Sequence, residues 1–576
     1  MRVRFRCNDA EVDVETADGE SLLSVLRERL GLVSVKDGCA PQGQCGCCTV
    51  LVDGEPRVAC VTPAVRIEGR SVTTVEGLAP DVRDQLASAF VATGGSQCGF
   101  CTPGIVMRAC GARVRDLDRA LAAHLCRCTG WRTVYDAIRD EGVRDTERDT
   151  ERDLSAAARR AELEGGVPQV VRVDVPLGGA PFADDTAPRD ALVAVPLPPG
   201  SAAEYVEAAG MSWVVGASLL ETRSATGKVQ GRRTTAEERP PLFDFLDDCP
   251  HDGVQLATSW VEPAYLEPDA SWCEPGGVPA SALANGGAFG GKSTTGAPSA
   301  ARELADHFDR PVRVVYSRED LVRLGPKRPP IAATAVWRDG AVHVNGVVAT
   351  GGLAAFAREW PTPYGCAVIM SWREADLAGP PVGINARATG FAEIAVLVEG
   401  ALDAAGVDRT SLTDDPTLLD VCVRAPSGAS AGARVHIDPE TGGFDRIEVR
   451  VAAGDPLDEI VLRSYVMGAV HMALGWVCTE SLTVDPATGE VHDLTIRSFG
   501  IIRAKDMPPV DITVIHDDRE PLAGSSDAVF AAVAAAAWNS LTRDALTRDA
   551  ITGSERGTRP DTFPARQTRA ARRLRR

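Results

Sequence analysis

The sequence predicts a multidomain α+β protein, and three successive patterns of apolar residues support this fold class. Up to about Val75, short segments such as VRFRC, EVDVE and CTVLVDG alternate polar and apolar residues, as strands do. From Ala79 to about Arg139 the apolar period becomes helical. After about Gly165, strand-like and helix-like segments alternate. A small β-rich domain and a small helical domain are therefore followed by a mixed α/β region.

The composition limits the function classes. A chain of 576 residues has room for several cores, and its net charge of −19 argues against a dedicated nucleic-acid binder. The first residues, MRVRFRCNDAEVDV, lack the apolar segment of a signal peptide, and no stretch reaches the ~18 apolar residues of a membrane span. Sixteen cysteines then favour metal ligation over disulfides, so we expect a cytoplasmic protein.

Local signals place the elements in chain order. SLLSVLRERLGL is a predicted helix with Ser21 as N-cap and Gly31 at its end. The repeat RDTERDTERD within residues 141–163 predicts a solvated linker or helix. PVRVVY and FDRIEVRV are predicted strands, whereas FAEIAVLVEGALDAAG and AVFAAVAAAAWNSL are predicted helices. The arginine-rich last 21 residues predict a disordered tail, with docking to an acidic partner as the alternative.

Two compact cysteine sets carry the chemistry. The first lies in GCAPQGQCGCCTVLVDGEPRVAC and has the spacing C-x5-C-x2-C-x11-C, formed by Cys39, Cys45, Cys48 and Cys60. Four thiolates on a glycine-rich loop predict a plant-type ferredoxin [2Fe–2S] site, although that pattern has four residues in its first gap. Cys47 is a spare candidate, and we prefer Cys48 because Cys47 would break the two-residue gap after Cys45.

The second set lies in QCGFCTPG and HLCRCTGW. It pairs C-x2-C with C-x1-C and consists of Cys98, Cys101, Cys126 and Cys128. A structural zinc site is the alternative to a second [2Fe–2S] cluster. The C-x-C spacing and the neighbouring ferredoxin-like set favour iron.

The motifs KDGCAPQGQCGCCTVLVDG, QCGFCTPGIVMRAC and LCRCTGW resemble the iron–sulfur module of the molybdenum hydroxylases, the xanthine oxidase and aldehyde oxidase family. The resemblance covers about Val3 to Ala137. It implies a ferredoxin-like β-grasp domain with a cluster near the surface and a helical bundle with a cluster near the molybdopterin. It also implies that Gln97, before the first ligand of the second set, contacts the pterin; a surface helix cap is the alternative.

The rest of the chain resembles the molybdopterin-binding part of this family in pieces. YLEPDASWCEPG is similar to its LEP segment, and ANGGAFGGK is similar to a glycine-rich loop near the metal. In that loop, backbone amides could approach a bound oxyanion closely. The resemblance assigns cofactor or substrate contacts to Arg387 and Phe391, with an ion pair to a surface carboxylate and a core position as alternatives. The cofactor-binding residues of the loop are Gly286, Gly287, Phe289, Gly290 and Gly291.

The segment AGSSDAVFAAVAAAAWNSL resembles the turn that carries the catalytic base of the family, a glutamate in Gly-x-Gly-Glu. This chain has Asp527 there, preceded by Ser526 instead of glycine. The resemblance makes Asp527 the general base, although its carboxylate sits one methylene further back. The alternative is that Asp527 only caps a helix starting at Ala528.

The chain departs from the family in length. Only DASWCEPGGVPASALA separates Pro268 from Asn285, and no segment between Asp140 and Gly178 has room for a flavin domain, so we expect no FAD here. The predicted regions are a ferredoxin-like domain 1–76, a helical [2Fe–2S] domain 77–140, a linker 141–175, a small α/β domain 176–250, molybdopterin-binding domains 251–425 and 426–555, and a basic tail 556–576.

The resemblance implies an oxidoreductase with two [2Fe–2S] clusters and molybdopterin. It would oxidise a small molecule, an aldehyde or N-heterocycle, with water-derived oxygen. Electrons would pass to a separate flavoprotein subunit or a soluble carrier, and a homo- or hetero-oligomer is possible. The rival hypothesis, from a different class, is a non-catalytic electron-transfer subunit with a degenerate molybdopterin domain.

Overall fold

The computed structural model describes residues 1–111, 116–139, 152–227, 229, 231, 239–246, 253–357, 360–552 and 559–574. Its strands are β1 Arg2–Cys7, β2 Ala10–Glu15, β3 Thr49–Val52, β4 Glu55–Val58, β5 Ser71–Thr73, β6 Leu192–Pro196, β7 Val206–Ala208, β8 Met211–Gly216, β9 Val254–Thr258, β10 Ala270–Cys273, β11 Val312–Val315, β12 Ile331–Arg338, β13 Ala341–Ala349, β14 Ala367–Ala375, β15 Val421–Arg424, β16 Ser430–Ile437, β17 Phe444–Ala452, β18 Val510–Val514 and β19 Thr562–Phe563. Its helices are α1 Leu22–Ser24, α2 Pro80–Thr93, α3 Thr102–Ala109, α4 Leu117–Leu121, α5 Arg132–Ile138, α6 Leu154–Gly165, α7 Ala183–Thr186, α8 Leu219–Thr226, α9 Ala297–Phe308, α10 Arg318–Leu324, α11 Phe391–Ala404, α12 Glu459–Cys478, α13 Ser525–Thr552 and α14 Arg569–Leu574.

The first sheet has the order β2-β1-β5-β3-β4 and holds the first cysteine set. Its first strand buries alternate residues, as the sequence pattern predicts. The Ser21 side chain accepts a hydrogen bond from the Ser24 N–H at the start of α1, which confirms the predicted N-cap. Helices α2 to α5 follow, so the predicted change from strands to helices is confirmed.

The second sheet, β10-β11-β6-β8-β7, lies against α8 and α9. Strands β6 and β8 are antiparallel, and β11 joins β6 in parallel. Two strands of this sheet come from residues after 250, so the layer extends beyond the segment 176–250.

The third sheet, β14-β13-β12-β9-β19, and the fourth, β15-β16-β17-β18, enclose the largest core with α11, α12 and α13. Residues Ala528–Trp538 of α13 are almost completely inaccessible to solvent. Their alanines let α11 and α12 approach closely, which is why the predicted alanine-rich helix is a core element. Helix α12 is long and apolar enough to cross a membrane, but 89% of its most apolar segment is buried inside the protein, as in a core helix.

The linker and the tail are more ordered than the sequence suggests. Helix α6 packs Ala157 and Ala161 against α12, whereas most of the charged repeat, residues 144–151, lies outside the described residues. The expectation of a disordered tail is wrong for residues 559–574. Strand β19 pairs with β9, and Phe563 is 1% exposed. Arg569 pairs with Asp544, so the tail arginines are used within the fold.

A buried histidine makes the stability of this core depend on pH. His471 on α12 is inaccessible, and burial lowers its pKa from 6.5 to about 4. Between these values the unfolded chain binds a proton that the folded chain excludes, so stability falls as the pH falls through this window. One such proton contributes about 1.4 kcal/mol per pH unit. We expect a smaller loss of thermal stability on acidification for His471→Gln than for the parent chain.

The matched control for this experiment is His516→Gln, since His516 is exposed. Thermal unfolding midpoints between about pH 7 and about pH 5 measure the effect. Equal pH dependence in the two variants would contradict the role assigned to His471.

Candidate functional site

The first cysteine set lies on the loop between α1 and β3, with Cys60 after β4. The thiol of Cys39 contacts those of Cys45 and Cys60, and the thiol of Cys60 also contacts that of Cys48. Backbone N–H groups point at the sulfurs: Gln42 N lies 3.2 Å from the Cys39 Sγ. All four cysteines are buried, so four thiols converge in a pocket that also supplies amide donors.

Cys47 lies between the two sets. Its thiol contacts that of Cys45, and its backbone lies under α3. A Cβ atom on Gly104 of α3 would lie 2.4 Å from the Gly46 carbonyl oxygen and 2.7 Å from that of Cys47. The absence of a side chain at Gly104 therefore lets the two cysteine loops touch.

The second set forms two thiol pairs. The sulfurs of Cys98 and Cys128 are 3.5 Å apart, and the thiols of Cys101 and Cys126 are in contact. Among the described residues, no group of three or more His, Cys, Asp or Glu side chains could hold a single metal ion. Two pairs of thiols suit the two irons of a cluster better than one zinc ion.

A buried ion pair joins the second set to the C-terminal half. Arg127, between Cys126 and Cys128, donates through Nη2 to Glu480 at 2.7 Å and through Nε to the Pro263 carbonyl at 3.1 Å. The Arg127 and Glu480 side chains are 6% and 1% exposed. Sequence reasoning missed this pair because nothing local marks two residues so far apart.

Gln97 also lies where the second cysteine set meets the C-terminal half. Its Nε2 donates to the Cys128 carbonyl at 3.0 Å and to the Ser464 Oγ on α12 at 2.9 Å. The alternative of a surface helix cap is therefore wrong, because Gln97 connects the second set to the buried face of α12.

The glycine-rich loop packs directly on the second set. A Cβ atom on Gly287 would lie 2.9 Å from the Cys98 Cβ, and one on Gly286 would lie 2.5 Å from the Gln169 Nε2. Asn285 ties the loop down by donating to the Cys98 carbonyl at 2.9 Å. Sequence reasoning also missed Asn285 and Gln169.

The other loop residues are equally enclosed. A Cβ atom on Gly290 would lie 1.7 Å from the Asn385 carbonyl oxygen, and one on Gly291 would lie 2.5 Å from the Tyr265 ring. Glycine is therefore required at these positions because a side chain would overlap neighbouring protein atoms.

Arg387 lies over the ring of Phe289, with its guanidinium carbon 4.7 Å from the ring centre. Among the described residues its Nη1 atom has no hydrogen-bond partner, and burial lowers its pKa. The alternative of an ion pair with a surface carboxylate is wrong. Phe391 is 6% exposed and stacks on Trp360, so the core alternative for Phe391 is confirmed.

Asp527 is the third residue of α13, which begins at Ser525, so it does not cap a helix at Ala528. Glu164 of α6 takes the capping role: its Oε2 accepts from the Ser526 N–H at 2.9 Å, and its Oε1 accepts from the Ser525 hydroxyl. Burial raises the pKa of Asp527, which Arg387 opposes and Glu164 reinforces. Sequence reasoning missed Glu164 because it lies in the presumed linker.

Comparisons with known proteins match this layout. Residues 5–71 match a 2Fe-2S iron-sulfur cluster binding domain, residues 74–139 a [2Fe-2S] binding domain, and residues 372–508 a molybdopterin cofactor-binding domain. The xanthine dehydrogenase iron-sulfur-binding subunit of Escherichia coli O157:H7 is 37% identical over 150 residues, which is 24% of this chain and 93% of that protein. The nicotinate dehydrogenase small FeS subunit of Eubacterium barkeri is 34% identical over 147 residues, again 24% and 93%.

The chain belongs to the molybdenum hydroxylase family. A further member, the aldehyde oxidoreductase of Megalodesulfovibrio gigas, is 41% identical over 149 residues, 24% of this chain but only 16% of that protein. The solved aldehyde oxidoreductase from Desulfovibrio gigas has the same fold, with a TM-score of 0.70 at 15% identity and complete coverage of both chains. Relatives in this family are molybdopterin-dependent oxidoreductases, and the chain carries both [2Fe–2S]-binding domains and a molybdopterin-binding domain.

The two cysteine sets fit [2Fe–2S] clusters, because each brings four thiols together. The space beside the glycine loop fits a molybdopterin poorly. Cavities of about 10 Å³ beside Gly287, 20 Å³ beside Gln97 and 30 Å³ beside Arg387 each have room for one or two waters. Ligand sites of this kind occupy roughly 300 Å³ or more. At Gly287 the loop instead lies directly against Cys98 and Cys128.

The Arg127–Glu480 pair is expected to hold the two halves together. Glu480→Ala leaves the Arg127 guanidinium buried without its partner, which costs about 3–5 kcal/mol of stability. Chemical denaturation followed by circular dichroism measures this loss. The matched control is Asp306→Ala, which removes an exposed i,i+4 partner of Arg302. A loss in Glu480→Ala no larger than in this control would contradict the role of the pair.

The two-residue gap after Cys45 predicts that Cys48, and not Cys47, is a ligand. Cys48→Ser should lose the first cluster and keep about two irons per chain, whereas Cys47→Ser should keep about four. Iron analysis and electron paramagnetic resonance (EPR) of the reduced protein measure the result. Loss of the first cluster in Cys47→Ser, with retention in Cys48→Ser, would reverse the assignment.

Proposed function

We propose that the chain transfers electrons between two [2Fe–2S] clusters held by its two cysteine sets. The observation that carries this proposal is the direct contact of the two cysteine loops, where Gly104 meets the backbone of Gly46 and Cys47. A bound cluster would supply one-electron chemistry. The protein holds the thiols, excludes water from both sets and keeps the sets adjacent.

We propose that electrons enter at the second set and leave from the first. Arg127, Gln97 and Asn285 turn the second set toward the C-terminal half, where an internal donor would lie. In this proposal the first set passes the electrons on to a separate flavoprotein subunit or a soluble carrier. A separate partner is supported by relatives whose iron–sulfur part is itself a subunit, as in Escherichia coli and Eubacterium barkeri.

For the reaction, we propose oxidation of an aldehyde or an N-heterocycle with water-derived oxygen. The names of the relatives, aldehyde oxidoreductase and nicotinate dehydrogenase, support these substrate classes. In this proposal Asp527 is the general base, with a pKa raised by burial, and Arg387 lies close enough to influence it. All fifteen described cysteines are free, which supports a reducing, cytoplasmic location.

The second candidate is a non-catalytic electron-transfer subunit. The observation that favours it is the closed packing of Gly286 and Gly287 against Gln169 and Cys98, with little space for a cofactor. In this candidate the C-terminal half is a scaffold that docks catalytic and flavin partners within a homo- or hetero-oligomer.

Elemental analysis of the purified full chain tests both candidates. Two clusters give about four irons per chain, and the catalytic proposal adds about one molybdenum. Iron near four without molybdenum would refute the catalytic proposal and support the electron-transfer subunit. Iron well below two would refute the two-cluster proposal itself.

If molybdenum is present, Asp527→Ala provides the next measurement. We expect loss of aldehyde or N-heterocycle oxidation with unchanged cluster EPR signals. Full activity in Asp527→Ala would remove Asp527 from the catalytic proposal.

A further inference from the structure

A cavity of about 460 Å³ lies between the first and second sheets. Its walls come from the α1 region on one side and from β6 and α8 on the other, through residues such as Leu23, Val195 and Leu220. This volume lies within the range of small-molecule sites, which often form between domains. Neither the domain matches nor the proposed function uses this cavity.

The cavity touches the first cysteine set. Ala40, Pro41 and Cys60 all contribute to its wall, and the thiol of Cys60 contacts those of Cys39 and Cys48. A molecule in the cavity would therefore lie against the set from which electrons are proposed to leave.

The charges of the cavity disfavour an anion. Three arginines line it, and each is paired: Arg27 with Asp184 and Asp185, Arg313 with Glu28 and Asp184, and Arg223 with Asp37. Six carboxylate residues line the same space, namely Glu28, Asp37, Asp184, Glu267, Glu319 and Asp320. Glu267 and Asp320 are themselves paired, with Lys292 and Arg323. Because each lining arginine already has a carboxylate partner, a phosphate group would have to displace one, so nucleotide cofactors suit the site poorly.

Two polar side chains in the cavity wall, Arg223 and Asp37, hold unpaired atoms that a neutral ring could reach after a change of rotamer. The Arg223 and Asp37 side chains are 24% and 15% exposed, and their contact is long at 3.4 Å. Among the described residues, Arg223 Nε, Arg223 Nη2 and Asp37 Oδ1 have no hydrogen-bond partner. A guanidinium can donate to a carbonyl oxygen, and a carboxylate can accept from a hydroxyl. Apolar side chains such as Leu219 and Phe100 can cover the faces of a ring.

We propose that this cavity binds a small neutral quinone as the electron acceptor, an inference that rests on the proposed electron route. The quinone gains two electrons and two protons and leaves as the quinol. The electrons are those that the proposed function delivers to the first cysteine set. The protons come from water at the edge of the cavity, where Gly19 and Gly227 are exposed.

Equilibrium dialysis of the cluster-containing full chain against menadione, an uncharged naphthoquinone, tests the binding. We expect saturable binding, and binding at least about tenfold weaker for anthraquinone-2-sulfonate because of its negative charge. Leu220→Trp, which fills the cavity from α8, should weaken menadione binding by about tenfold or more. The matched control Val278→Trp adds the same ring at a residue that is 91% exposed and outside the cavity, and it should bind menadione like the parent.

Circular dichroism and iron content first establish that both variants are folded and loaded. Absence of saturable menadione binding by the parent chain would overturn the proposal, as would equal binding by the two variants. EPR of the same samples separates this site from the electron route. If menadione binds but the clusters cannot be reduced, the quinone site stands and the proposed electron route is refuted. If the clusters can be reduced but menadione does not bind, only the quinone site is refuted.

Discussion

The buried ion pair between Arg127 and Glu480 determines how the N-terminal quarter sits on the rest of the protein. The backbone of Arg127 lies between two cysteines of the second set, and its guanidinium is held by the carboxylate of Glu480, which follows α12. Similar charged contacts recur along the boundary: Arg318 donates to the carbonyls of Gly38 and Tyr265, and Lys36 pairs with Asp185. Such bonds are directional, so they fix the orientation of the two halves more strictly than apolar packing alone would.

The sequence was sufficient for features that depend on local spacing. The cysteine sets, the Ser21 cap and the alanine-rich core helix are encoded by neighbouring residues. The site at Asp527 was only partly predictable, because its capping partner Glu164 comes from a distant helix. The ordered tail was missed for the same reason: its arginines look solvated until Asp403 and Asp544 are brought beside them by the fold. Tertiary contacts of this kind produce no periodic pattern in the sequence from which they could be predicted.

The glycine-rich loop shows how one motif can serve two physical purposes. Bare backbone lets a ligand approach closely, but it equally lets one protein segment approach another. Here the neighbours of Gly286, Gly287 and Gly290 are protein atoms. Family membership describes the ancestry of the chain, whereas the packing of the loop describes what surrounds it here. The two are compatible, because the fold of a family can persist while the volume of a cavity inside it changes.

Strand β19 has a consequence for the order in which the protein assembles. It forms the edge of the third sheet by pairing with β9, although Phe563 and its partner Thr258 are about 300 residues apart in the sequence. Synthesis on the ribosome therefore presents the N-terminal cysteine domains first, while the outer edge of β9 stays open until β19 has been synthesised. The cysteine domains can fold early, whereas the third sheet gains its last strand only after residue 563 has left the ribosome.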